Sequence, residues 1–470
     1  MIDRQILRDM VRTSEDDYVE LRYHRRIANQ LVAQRGRVDV AHHSMQSGVG
    51  VRVFSKGSWG FAATTDLSKK GVERALEDAR KSAEILVKRH KATRKKPFNP
   101  TNIAKEHLAR VDFIDPDYHA SLAMPIADKL AHCIAMEAQL SRFSKNIVVS
   151  RVRYSEIFED KIIVTSDGAD AALSIVQPEL SYSAIAERNG ERQSAGTGAG
   201  VMGGWQRLNA HPTMNEGLEF VARTAVDLLS AGYAEGGIKT VILSPGVVGL
   251  LCHEAIGHTV EADFVRSGSV AAGKIGQRVG SDLVTMYDTG YEQRYAGAVG
   301  GIPFDDEGIL ARPVAIIEQG ILKNYLHNRE SAIEHGVAPT GSARAWLYDD
   351  EPLIRMRNTY FAPGKSSVEE LISGVDDGYL IEGSGSGQAD SNGEFMFGAS
   401  HLFRIKNGKK RELLREASLS GIAFDVLQSV DGVSKDFLWD MGTGYCGKGQ
   451  PAKVDAGGPH VRCQINLGGR

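Results

Sequence analysis

The stretch Ser244–Pro245–Gly246–Val247–Val248–Gly249–Leu250–Leu251–Cys252–His253–Glu254–Ala255–Ile256–Gly257–His258 decides how the chain is read. Ser followed by Pro is a helix start signal, and the pattern behind it predicts a helix over residues 246–264. Ahead of it, residues 239–243 read as a strand. The helix thus leaves a sheet carrying two imidazoles and a carboxylate within six residues. Neutral imidazole is a good zinc ligand, and a Glu beside the first His can act as general base toward a metal-activated water. In the familiar H-E-x-x-H pattern the histidines are four apart and share one face. Here they are five apart, which on a regular α-helix turns them about 140° from each other. A shared metal therefore requires a π-type bulge or a break between Ala255 and His258, and Gly257 can accommodate either. The same pattern arises by chance in roughly one chain of this size in a few tens at ordinary composition. Spacing alone leaves metal binding and coincidence both open.

Working outward, 470 residues favour two or more regions with an ample core. A net charge of −3 lacks the basic footprint of a nucleic-acid binder, so no nucleic-acid partner is expected. The N-terminal residues Met1–Ile2–Asp3–Arg4 show no signal-peptide core and no run that spans a membrane. Four cysteines (Cys133, Cys252, Cys446, Cys463) make no disulfide framework, which points to a reducing, cytoplasmic setting.

Periodicity predicts a helix over 2–11, antiparallel strands over 18–63 and a helix over 67–90. The basic run at Lys88, Arg89, Lys91, Arg94, Lys95 and Lys96 reads as a solvated helix end rather than a nucleic-acid patch. A second long helix is expected over 118–143, strands over 147–153, 159–165, 171–186 and 194–203, and a third helix over 215–231. A strand–turn–strand unit followed by a helix therefore occurs twice, hinting at a duplication. Gly198–Ala199–Gly200–Val201–Met202–Gly203 matches the dinucleotide-binding pattern, but no helix is expected to open after it, so it reads as a turn. A small-residue linker at 231–237 is the expected boundary between an N-terminal domain, 1–235, and a sheet-rich C-terminal domain, 236–470. The fold class is α+β: helices on antiparallel sheet first, then mostly antiparallel sheet carrying the metal-motif helix. Residues 314–325 read as a hairpin, and the Gly, Ser, Asp and Asn run at 383–393 as sheet turns.

Near the C-terminus, Gly442–Thr443–Gly444–Tyr445–Cys446–Gly447–Lys448–Gly449 sets one thiol among glycines. Such a Cys can approach a metal closely, or be a small buried residue in a turn. Further landmarks follow the motif in order: Glu261, Asp263 and Phe264; Asp305–Asp306–Glu307–Gly308; Glu318–Gln319–Gly320; Pro339–Thr340–Gly341; Asn358–Thr359–Tyr360; Gly387–Gln388–Ala389–Asp390; and Gly444–Tyr445–Cys446–Gly447–Lys448. With His253–Glu254–Ala255–Ile256–Gly257–His258 they resemble the TldD/PmbA family of zinc metallopeptidases, on the TldD side. Residues 1–235 match only in general layout.

The resemblance implies Zn2+ held by His253, His258 and Cys446, with Glu254 as catalytic base. It implies cleavage of short or unfolded peptides in an extended form. It also implies association with a PmbA- or TldE-like non-catalytic subunit or with a second copy of the chain, a homodimer. One departure is Ser342–Ala343–Arg344–Ala345, where the family leads one to expect a more polar, Arg-rich stretch; that puts substrate contacts there in doubt. Cys252 is a rival thiol beside His253, but on a helix it points about 100° away, which favours a core role. Two other classes stay open. A non-peptidase zinc enzyme is disfavoured by the missing nucleotide fingerprint, and a peptide-binding subunit without activity by the intact His253, Glu254, His258 and Cys446.

Overall fold

The computed structural model describes residues 2–12, 14, 16, 18–90, 99–215, 217–293 and 297–469. It is an α+β protein in which antiparallel pairing dominates. The chain opens with helix α1 (Arg4–Arg12) and continues through three strands: β1 (Tyr18–Gln34), β2 (Arg37–Ser55) and β3 (Ser58–Thr64). Helix α2 (Lys69–His90) follows. After β4 (Asp112–Ile114), α3 (Tyr118–Ala123) and α4 (Ile126–Arg142) come three more strands. These are β5 (Ile147–Thr165), β6 (Asp170–Arg188) and β7 (Glu191–Gly200). Helices α5 (Trp205–Asn209), α6 (Pro212–Asn215) and α7 (Gly217–Leu228) close this part.

The first sheet runs β3-β2-β1-β5-β6, with β7 and the short parallel β4 both on β6. β1 and β5 meet antiparallel at its centre, so β1-β2-β3 and β5-β6-β7 spread outward as two matching halves. Strand β1 shows why the sheet is buried on both faces. Its odd positions Val19, Leu21, Tyr23, Leu31 and Ala33 are apolar. Val19, Leu21 and Tyr23 pack in one core with Val72, Ala75 and Ala79 of α2, and Leu31 and Ala33 in another with Cys133 and Leu140 of α4. Its even positions Glu20, Arg22, His24 and Arg26 are also buried, against the second half of the chain. Arg22 donates to the carbonyls of Leu347 and Asp350, and Arg52 of β2 pairs with Glu307 at 2.8 Å. Gly48 lets this face approach closely, since a Cβ there would sit 2.3 Å from the Tyr348 ring.

In the second half, strands Asp377–Ala389, Gly237–Leu243 (β8), Val461–Gly468, Ala417–Ile422 and Glu394–Lys406 pair in turn. The last also pairs with the first, so the hydrogen-bonded path closes on itself. Its interior belongs to the largest core, together with Val247, Leu251, Cys252, Ala255 and Ile256 of the motif segment. A second sheet of six strands, including Asn358–Phe361 and Asp455–Gly458, lies on the other side of that segment.

Several expectations need correction. The helix expected over 118–143 is two helices, because Pro125 with ψ 138 cannot continue α3 and instead caps α4. The two strands expected within 147–165 are one, β5, since its polar Glu156, Glu159 and Asp160 are buried rather than in a turn. In the Gly198–Gly203 pattern the first three residues finish β7, and a five-residue helix, α5, does open at Trp205. Residues 383–389 are strand rather than turn; only 390–393 make the hairpin bend. The basic run falls on residues 91–98 and on neighbouring side chains, outside the described residues. Among the described residues no helix is long and apolar enough to cross a membrane.

Candidate metal centre

Strand β8 ends at Leu243, Ser244 is the N-cap, and Pro245 starts α8 (Pro245–Leu250). The single helix expected over 246–264 is instead four short segments. After α8 comes a π-helical turn, Leu251–Gly257, then a 3-10 turn, His258–Val260, and a last α-helical turn, Ala262–Arg266. A π turn brings residues five apart onto one face. The imidazoles of His253 and His258 accordingly lie 5.3 Å apart, with their planes at 80°. The irregularity is longer than expected at both ends, starting at Leu251 and running through the 3-10 turn to Val260. Gly257 has ordinary helical angles, φ −56 and ψ −48, so backbone freedom is not its role. A Cβ there would meet Met356 Sδ at 1.9 Å. The residue is small because the buried Met356 packs against the turn.

Cys446 arrives from the far end of the chain on the short strand Tyr445–Gly447, paired with Pro451–Lys453. Its Sγ is 3.3 Å from His258 Nε2. One donor atom each from His253, His258 and Cys446 lies within 4.8 Å of the others. Tetrahedral coordination with bonds of 2.0–2.3 Å sets donors about 3.5 Å apart, so this group is the right size. His253 is 1% exposed, and neither ring nitrogen meets hydrogen-bond geometry with a partner among the described residues. A buried imidazole left in that state is costly unless something beside it accepts or supplies the bond. The donor set and the unpaired His253 together fit a divalent zinc-class ion.

The electrostatics agree. Burial pushes the Cys446 thiol up, but the neighbouring charges of His253 and His258 outweigh it and bring it down to about 4. Burial pushes His258 down, and hydrogen bonds to Cys446 and Glu261 overcome this, raising it to about 10. The site therefore favours a thiolate, the ligating form of Cys. Cys252 behaves oppositely: burial alone pushes its thiol far up, and it sits in the core outside the donor group. Cys463 is likewise buried in the closed sheet.

Glu254 is half-buried and forms, with His258, Phe264, Gln388, Asp390 and Tyr445, the wall of a cleft of about 400 Å³. Its Oε2 is 3.8 Å from His258 Nε2. The structure thus brings His253, His258 and Cys446 into one group and sets Glu254 at its open side. Three further residues around it had no assigned role in the sequence reading. Glu261, fully buried, faces His258 Nδ1 at 3.1 Å. Lys448 donates to Glu261 at 3.1 Å and to Asp263 at 2.8 Å, tying the Cys446 strand to the motif segment. Arg355 donates to the Cys446 carbonyl at 2.5 Å and to that of Gln450 at 2.7 Å. Glu261 and Lys448 stood among the quoted landmarks, and the buried carboxylate three residues after His258 was the available signal. Ser342–Ala345, doubted for substrate contacts, is buried and does not line the cleft.

Three segments match models of one family: residues 19–83 its "PmbA/TldA metallopeptidase domain 1", 120–232 its central domain and 236–469 its C-terminal domain. A metalloprotease of Methanocaldococcus jannaschii is 34% identical over 95% of this chain and 96% of its own length. A zinc metalloprotease TldD homolog of Saccharolobus solfataricus is 29% identical over 96% of both chains. A metalloprotease TldD homolog of Haemophilus influenzae is 30% identical over 96% of this chain and 93% of its own. In fold, the chain is similar to TldE from Thermococcus kodakarensis, with a TM-score of 0.76 at 18% identity over 98% of this chain and all of that one. With the fold matched along its whole length and the sequence matched in three consecutive segments, the chain belongs to the PmbA/TldD metallopeptidase family.

Proposed function

We propose that the chain is a zinc-dependent peptidase that cleaves short or unfolded peptides, with His253, His258 and Cys446 as ligands and Glu254 as general base. The observation that carries this is the convergence of the three donor atoms within 4.8 Å beside a carboxylate on the cleft wall. Zinc, when bound, supplies Lewis acidity at an open fourth position. The remaining chemistry belongs to the chain. Glu254, on the cleft wall, takes the proton of the attacking water and returns it to the leaving amine. Glu261 fixes the His258 ring through Nδ1, which would leave the Nε2 lone pair for the ion once that nitrogen gives up its proton. Lys448 holds Glu261 and Asp263 in register with the Cys446 strand.

The strand Asp377–Ala389 supports an extended substrate. One edge pairs with Glu394–Lys406 over most of its length, while the other pairs with β8 only at Tyr379–Ile381. Residues 384–389 therefore offer an open edge, and Gly387, Gln388 and Ala389 line the cleft. An extended peptide adding to this edge gains main-chain hydrogen bonds with little sequence preference. We further propose that the chain works with a second subunit, a copy of itself or a related non-catalytic chain. The deciding experiment is a peptide-cleavage assay on the metal-analysed protein, with and without chelator. Peptide binding without chelator-sensitive cleavage would instead make this chain a binding subunit.

A further inference from the structure

Cys446 reaches the two histidines on a two-stranded ribbon, Tyr445–Gly447 against Pro451–Lys453. Among the described residues no further strand pairs with it. A ribbon of this kind is marginal by itself. At its turn, Gly447 and Gly449 lie in open space: a Cβ added to either would have no neighbour within 4 Å beyond the adjoining residues. The aim of the thiol therefore depends on what grips the ribbon from outside. Lys448 is one grip, through Glu261 and Asp263. A second comes from Arg355.

Arg355 is 0% exposed, and among the described residues it forms no ion pair. Its backbone N–H donates to the Ser342 carbonyl at 2.8 Å, and the adjoining Leu353–Ile354 pairs with Ala343–Arg344, so the base of the side chain is fixed. The guanidinium donates through Nη2 to the Cys446 carbonyl and through Nη1 to the Gln450 carbonyl, while Nε has no partner among the described residues. The side chain's hydrogen bonds thus all go to the ribbon, one to each side of its turn. A buried cation with no carboxylate beside it is costly. The compensation it has is two hydrogen bonds from a charged group, made by a planar fork that spans both carbonyls where the compact ammonium of lysine does not. The residues before Arg355 grip the same ribbon. The Trp346 N–H donates to Gln450 Oε1 at 2.7 Å, Gln450 Nε2 to the Glu351 carbonyl at 2.7 Å, and Lys448 Nζ to the Ile354 carbonyl at 3.0 Å. This stretch is itself seated on the first sheet, where Arg26 stacks on Trp346 and Arg22 donates to the carbonyls of Leu347 and Asp350.

We propose that Arg355 is a positioning residue for the Cys446 ligand: its fork clamps the base of the ribbon's turn and so aims the thiol at His253 and His258. Gln450 completes the clamp by tying the same turn to Trp346 and Glu351. Arg355 does not line the cleft and acts only through the backbone of Cys446 and Gln450. The proposal rests on the reading of Cys446 as a metal ligand, and the test separates the two.

The test is titration of cobalt(II) into the full chain freed of metal. A thiolate bound to Co2+ gives a charge-transfer band in the near ultraviolet that imidazole ligands alone do not give. Its intensity per bound ion reports how the thiol is placed, which a residue needed only for stability would not move. The unsubstituted protein should show the band, and Cys446→Ala should lack it. Arg355→Met should weaken the band per bound ion and lower Co2+ affinity by about tenfold or more. Arg355→Lys, with one donor centre in place of the fork, should fall between. Gln450→Ala, at a half-buried position, should shift both readouts in the same direction. Cys463→Ala, which loses packing elsewhere, should change neither. Unsubstituted affinity and band intensity in Arg355→Met overturn the proposal, even where Tm falls. Should Arg355→Met not fold, the same result in Arg355→Lys and Gln450→Ala overturns it. A band missing from the unsubstituted protein that binds Co2+ would instead remove Cys446 as a ligand, and the positioning role with it.

Discussion

Gly257→Ala isolates the fit of the π turn from backbone effects. The native angles at Gly257, φ −56 and ψ −48, suit alanine without strain. Helix propensity even favours the change, by up to about 1 kcal/mol. Against this stands contact. The new Cβ would lie 1.9 Å from Met356 Sδ and 3.1 Å from the Cys252 carbonyl oxygen. Met356 is fully buried in the core, so it has no free volume to enter. Overpacking of this kind costs about 1–3 kcal/mol. A 1.9 Å approach lies at the upper end of that range, so the net destabilisation should be about 2 kcal/mol, read by denaturant unfolding with an unchanged slope. Because His258 follows directly, displacement of the turn should also weaken metal affinity by about tenfold or more, as misplaced ligands do. Met356→Ala in the same background removes the obstructing sulfur, so the pair should show positive coupling in a double-mutant cycle. If Gly257→Ala keeps full stability and full metal affinity, the packing account of the π turn is wrong.

Other substitutions separate the surrounding roles. Glu261→Gln should lower zinc affinity by about 10–100-fold while the fold remains, measured by competition with a chromogenic chelator. Lys448→Met should shift the same affinity in the same direction but by less, since Glu261 keeps its contact with His258; an unchanged affinity argues against the clamp. Cys446→Ala should reduce metal content together with activity, whereas Cys252→Ala and Cys463→Ala should retain metal and lose only packing. Metal kept by Cys446→Ala and lost by Cys252→Ala would place the ion on the motif segment alone. Compact folded proteins should be cleaved far more slowly than unfolded ones of the same sequence; equal rates would refute an edge-adding cleft.

What the sequence revealed and what it hid divide along the range of the interactions involved. The His253–His258 spacing is local, so its demand for a π turn was readable, and the turn is there. The alternation in β1 is local too, and it correctly marked a strand. Periodicity could not say that Arg22, His24 and Arg26 are buried, because the groups that face them, Asp306, Leu347 and Asp350 for Arg22 and Glu159 for His24 and Arg26, lie far off in sequence. The glycines around Cys446 made it a candidate, but its place beside His253 and His258 came only through resemblance, since about 190 residues separate it from them. Lys448 and Arg355 act through Asp263, Glu261 and backbone carbonyls brought in by the fold, which no spacing announces. The helix expected over 118–143 rests on apolar periodicity on both sides of Pro125, where the backbone turns extended and the helix divides. The glycine and serine content of 383–389 suggested turns. There the strand is fixed instead by its ladder with Glu394–Lys406, a tertiary effect that outweighs propensity.

The central claim is that Glu254 acts on the proton while His253, His258 and Cys446 hold the metal. Glu254→Gln tests it most directly, by zinc content and peptide turnover on the same preparation. The account predicts zinc bound as in the unsubstituted protein, with turnover lower by about 10²-fold or more. Turnover that survives, or zinc lost together with it, would contradict the assignment of Glu254 as base rather than ligand.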